Sequence, residues 1–180
     1  SAKLRDIQNG SRPEELSIAE GDLAGAKSDF LLSKQVLEVE LQNLYNRADE
    51  AIRYKIDNTF ANPRSVNPQF MYSIDQNPTL KDKINANRLK ITELFVAWQK
   101  DIDNNVQDFN KVKAYATEIQ MFINDVSTAI SIDAEKSKTT DSNYTSIQNQ
   151  KADILLARTN FNLAINTFNQ FLTYRYGISI

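Results

Sequence analysis

An all-α fold is expected, and three features of the 180-residue sequence predict it. Chain breakers are scarce: four glycines (Gly10, Gly21, Gly25, Gly177) and four prolines (Pro13, Pro63, Pro68, Pro78). Between Thr79 and Tyr176 there is neither, so a hairpin-rich β fold finds no turn chemistry across that stretch. Apolar residues recur there at helical spacing, which decides for helix over disorder. Finally, a seven-residue apolar repeat marks both ends of the chain, as in helices packed along narrow seams. With 41% apolar residues, 180 residues suffice for one core. The expected architecture is a single all-α domain over 1–180, a long antiparallel four-helix bundle (long–short–short–long) that tapers into a two-helix coiled coil.

The first helix is expected over 11–61. Ser11 can cap it, Glu14 completes a capping box, and Pro13 suits the first turn. Leu16, Leu23, Phe30, Leu37 and Leu44 repeat every seven residues, with Ala19 and Ala26 at the complementary positions. Leu41, Ala48, Ile52, Ile56 and Phe60 carry the stripe on with a slight drift. At 1.5 Å per residue such a helix is roughly 70 Å long, so part of it is expected to form an extended arm. A proline-rich loop follows at 62–78, because Pro63 and Pro68 push the residues before them out of the α region. The second helix (79–103) runs through Ile84, Leu89 or Ile91, Phe95 and Trp98, and Asp103-Asn104-Asn105 breaks it. The third (108–133) carries Phe109, Val112, Ala116, Ile119, Phe122 or Ile123, Val126 and Ile130. Glu135 to Thr145 reads as a polar connection. In the fourth helix (143–174), Ile147, Ile154, Phe161 and Phe168 again repeat by seven, beside Ala157, Ala164 and Phe171. The opening and closing helices are thus expected to pair antiparallel, with Leu23, Phe30 and Leu37 sharing a seam with Phe161 and Phe168.

Composition narrows the chemistry. A net charge of −2 gives no electrostatic footprint for nucleic acid. No apolar run is long enough to cross a membrane, and Ser1-Ala2-Lys3-Leu4 lacks a signal peptide's apolar core, so a mature or excised piece is expected. The chain has neither histidine nor cysteine, which removes the commonest general base, the thiolate nucleophile and the usual zinc ligands. A non-catalytic protein without cofactor or metal is expected. Asp101, Asp103 and Asn105 have the spacing of a calcium loop, but Val106 and Val112 stand where it demands Gly and Glu. Asn9-Gly10-Ser11 and Asn143-Tyr144-Thr145 match the three-residue glycosylation pattern. The 19 Asn and 11 Gln are assigned to a solvated surface. Trp98 is assigned to the core. Arg64, held between two prolines, either caps a helix end or docks a partner.

Several segments resemble a known family. Gly10-Ser11-Arg12-Pro13-Glu14-Glu15-Leu16, followed by Ala/Leu heptads, resembles the opening of the coiled-coil hairpin in HlyD-type membrane fusion proteins, the periplasmic adaptors of tripartite efflux and secretion systems. Ala48-Asp49-Glu50-Ala51-Ile52-Arg53, Asp57-Asn58-Thr59-Phe60, Asn62-Pro63-Arg64-Ser65 and Asn67-Pro68-Gln69-Phe70 look like a bundle insertion of some adaptor-like sequences. Leu155 to Ala164 is similar to the returning helix. The resemblance implies a helical spacer and docking portion, extracytoplasmic, whose partners are neighbouring adaptor copies and an outer-membrane channel or transporter. It implies self-association, and Asn62, Arg64, Asn67 and Phe70 as the docking loop. Neither the lipoyl-like nor the β-barrel domain of such adaptors is visible. The rival reading is an extracytoplasmic four-helix sensor that binds a small ligand near Arg64 and Trp98.

Overall fold

The computed structural model describes residues 13–106, 108–137 and 143–177. It is all-α: about 85% helical, with four α-helices among the described residues. These are α1 (Pro13–Asp49), α2 (Pro78–Asp103), α3 (Phe109–Ser137) and α4 (Tyr144–Tyr176). A π-helical turn at Glu50–Ile56 and a 3-10 turn at Asp57–Thr59 extend α1, and a two-residue hairpin follows, β1 (Phe60–Ala61) and β2 (Gln69–Phe70). The Ser11 cap and the first glycosylation pattern lie outside the described residues, as do residues 138–142 of the expected polar connection; its ends, Glu135 to Ser137 and Tyr144 to Thr145, are helical.

The chain divides into two compact units, residues 1–39 and 40–180. The described part of the first unit is a single helix, exposed from residue 13 to 32, whereas Leu37, also expected in the seam, is buried at 1%. Leu16, Leu23 and Phe30, expected in a buried seam, are 53%, 55% and 70% exposed. The reason is register within the second unit. Lys55 Nζ meets Asp153 at 3.1 Å, and the Lys55 carbonyl accepts from Gln150 Nε2 at 3.0 Å. That antiparallel register carries Phe161 and Phe168 to about positions 47 and 40 on the opening helix. Both rings are buried, and Phe168 lines a crevice with Leu44. The closing heptads therefore serve the second half of the opening stripe.

In the second unit the drift in that stripe has a structural counterpart. Ala48, Ile52, Ile56 and Phe60 are all buried although spaced by four. At 3.6 residues per turn each such step rotates about 40° off the face. The π-helical turn takes an extra residue per hydrogen-bonded ring and returns the stripe to the core. Here α4 packs against the π-turn, while α3 packs on both α2 and α4. The core joins Phe60 and Phe122 (6.2 Å between ring centres) to Ile119, Ile130, Ile154 and Phe161. Tyr45 stands edge-on to Phe95 and Trp98, 5.5 Å from each.

Local chemistry sets the helix ends. The Asn77 side chain accepts from Leu80 N at 3.1 Å, with Pro78 in the first turn. After Asp103 the chain turns through Asn105 at φ +52°. Asp108 then accepts from Asn110 N and Lys111 N to open α3. Gly177, at φ +65°, closes α4 in the left-handed conformation that terminates many helices.

Candidate functional site

The proline-rich loop is tied to the end of the opening helix by its backbone. Phe60 pairs with Phe70 and Ala61 with Gln69, and Met71 N donates to the Thr59 carbonyl at 3.0 Å. Asn62 turns the chain at φ +53°, a region Asn tolerates better than most residues, and its carbonyl accepts from Ser65 N. Beyond it, Ser65 Oγ accepts from Asn67 N, and Asn67 Oδ1 accepts from Gln69 Nε2 at 2.7 Å.

Beneath this loop sits a buried ion cluster. The Asp57 carboxylate, 6% exposed, is held by Arg88 from α2, whose Nε and terminal nitrogen both lie 2.7 Å from Asp57 Oδ1. Arg88 is 2% exposed and also donates to Thr92 Oγ1 at 2.9 Å. Arg64 Nε approaches Asp57 Oδ2 at 3.4 Å, while most of the Arg64 side chain stays in solvent. A buried carboxylate needs a partner with several donors, and a guanidinium fork supplies them. Nearby on the π-turn, Arg53 pairs with Asp49 at 2.9 Å and lies over the Phe95 ring at 5.2 Å.

The four loop residues named from sequence therefore take different places. Arg64 and Asn67 are exposed and held in the loop, and Asn62 forms its turn. Phe70 is 2% exposed, packed on Phe60 at 5.5 Å, with its amide bound to Asn85 Oδ1 at 2.7 Å. It anchors the loop and presents no ring to a partner. Asp57 and Arg88 escaped sequence reasoning. The signal was there: Arg88 stands on the stripe Ile84, Ile91, Phe95 and Trp98, one position from Leu89, which was expected to fill it as the alternative to Ile91. A charged residue at an apolar stripe position needs a buried counter-charge.

Trp98 belongs to a separate cluster. It stacks on Tyr115 at 5.5 Å, and its buried indole N–H has no hydrogen-bond partner among the described residues. Tyr115 donates to Asp101 at 2.8 Å, with Lys111 3.3 Å from the same carboxylate. Burial first, then that hydrogen bond, push the Tyr115 phenol up to about 12. The same bond leads the lowering of Asp101 below the usual carboxylate range. Asp101 is thus engaged by a phenol and an ammonium. Among the described residues no three acidic side chains are grouped to hold a metal ion, and no helix is long and apolar enough to cross a membrane.

Comparison with protein-family models, curated proteins and solved structures finds no match. The site is therefore interpreted from its own geometry. Its inner face is locked by Asp57, Arg88 and Phe70. Its outer face offers a cation, amides and two exposed apolar side chains, Val66 at 88% and Met71 at 56%.

Proposed function

We propose that this chain is a non-catalytic helical spacer and docking portion of a periplasmic adaptor of the membrane fusion type, acting in export. The finer architecture belongs to the proposal. Residues 40–59 with α2, α3 and α4 form a four-helix bundle, and the loop at 62–77 is its docking end. The supporting observation is the asymmetry of that loop. A fixed inner anchor orients an outer face of Arg64, Val66, Asn67 and Met71, so binding a partner there orders little that is not already ordered. The segment resemblance of Asn62-Pro63-Arg64-Ser65 and Asn67-Pro68-Gln69-Phe70 to adaptor-like insertions supports the same reading. Neighbouring adaptor copies and an outer-membrane channel or transporter are the proposed partners, and the extracytoplasmic space the proposed compartment.

A photo-crosslinking side chain at Val66, in the chain expressed in its parent protein, tests this. The expected product is a crosslink to a channel or transporter subunit. The parent reading frame supplies a second test, since lipoyl-like half-domains should flank the chain. Apolar spans on both sides, or calorimetric binding of a small molecule, would replace this proposal with the sensor reading.

A further inference from the structure

Residues 13–34 carry a coiled-coil surface that their own unit does not cover, ending short of the buried Leu37. Leu16, Leu23 and Phe30 are more than half exposed at seven-residue spacing, with Ala19 and Ala26 between them. Leu23, Ala26, Lys27 and Phe30 border a shallow hollow together with Leu31. Positions i, i+3, i+4 and i+7 are the four corners of the hole that receives a knob from a facing helix. With Leu16, Leu23 and Phe30 at a, this is the hole that takes a d residue in a parallel pair, and the d residue at that level is Ala26.

The charges flanking the seam select the occupant and its direction. One edge, the g positions, carries Glu15, Asp22 and Asp29. The other, the e positions, carries Glu20, Lys27 and Lys34. A parallel second copy sets each g against the e five residues on. Asp22 then faces Lys27 and Asp29 faces Lys34, twice over by symmetry, against one repulsive layer of Glu15 and Glu20. An antiparallel copy sets g against g, carboxylates against carboxylates in every register. A seam about 33 Å long and about 10 Å wide removes roughly 660 Å² from water over both copies, the size of a transient contact.

We infer that two copies of this chain pair reversibly through residues 13–34 as a parallel, in-register coiled coil, with Ala26 of each copy seated between Leu23 and Phe30 of the other. The inference goes beyond the docking reading above and does not rest on it.

The absence of cysteine makes the test clean. The full chain carrying Ala26→Cys is oxidised at rising concentration and run on a non-reducing gel beside Ser28→Cys, which lies on the opposite face of the helix. Ala26→Cys should form a covalent dimer and Ser28→Cys should not. Adding Asp22→Lys and Asp29→Lys to the Ala26→Cys chain should reduce its self-crosslinking several-fold. Mixing that variant with Ala26→Cys carrying Lys27→Asp and Lys34→Asp should restore a mixed dimer. Equal crosslinking at both cysteine positions, no effect of charge reversal, or a monomer at every concentration in sedimentation equilibrium of the unmodified chain would each overturn the inference.

Discussion

Replacing Arg88 by Met keeps most of the side-chain volume and removes every donor that faces Asp57 Oδ1. Both groups are buried, at 2% and 7% exposure, so the carboxylate is left in the interior. Only Arg64, largely in solvent and 3.4 Å away, remains near it. Removing one member of a buried pair costs about 3–5 kcal/mol. For a chain of this size that corresponds to a fall in Tm of about 6–20 °C. Asp57→Ala should cost a similar amount, because it strands the Arg88 guanidinium with Thr92 as its remaining side-chain partner among the hydrogen bonds formed here. The double variant removes both charges together and should cost less than the sum of the singles by about 2–3 kcal/mol. The assay is guanidinium denaturation, followed by circular dichroism and by fluorescence of the single tryptophan, Trp98. Single variants that each cost under about 1 kcal/mol and add without coupling would refute the argument, showing that the cluster is solvated in solution.

Three further outcomes are expected. Phe161→Ala should destabilise the chain by about 3–5 kcal/mol, while Leu23→Ala in dilute protein should stay within about 0.5 kcal/mol of the unmodified chain; equal costs in denaturant melts would contradict the observed burial. In alkaline absorbance titration the phenol of Tyr115 should ionise near 12, with burial also raising Tyr45 and Tyr72. Because the folded state holds the Tyr115 proton more tightly, its contribution is full below pH about 10 and fades as pH rises towards 12. Tyr115→Phe should remove one phenol from the component near 12 and leave the raised Tyr45 and Tyr72 in place, and an unchanged component near 12 would reassign the shift. Asn62→Gly should leave stability nearly unchanged, whereas Asn62→Val forces a branched residue into positive φ and should cost about 1–3 kcal/mol by thermal melting.

The helices were legible in the sequence because their signals are local. The absence of Gly and Pro from Thr79 to Tyr176, the Pro78 start, and the Asp103-Asn104-Asn105 break each act within a few residues. The observed ends fall close to those expected for α2 and α4. The second half of the opening stripe was legible too: Leu41, Leu44, Ala48, Ile52, Ile56 and Phe60 are all buried. The π-helical turn beneath it was visible only as drift. The proline-rich loop was legible from Pro63 and Pro68, yet its residues could not be sorted into inner and outer. Phe70 and Arg64 look equally available until hairpin pairing turns one inward and leaves the other in solvent.

The sequence by itself determined that this chain is helical, roughly where α2 and α4 start and stop, and which face of each helix is apolar. Those properties follow from backbone freedom and from a 3.6-residue period. Only the tertiary structure decided which apolar faces are covered. A seven-residue repeat states that a helix wants a partner but carries no register, and Lys55 against Gln150 and Asp153 fixes one that matches Phe161 and Phe168 to the second half of α1. The identity of the partner of Arg88 was likewise beyond sequence reach. Asp57 and Arg88 lie 31 residues apart, and only the packing of α2 against the end of the opening helix brings the two charges to 2.7 Å.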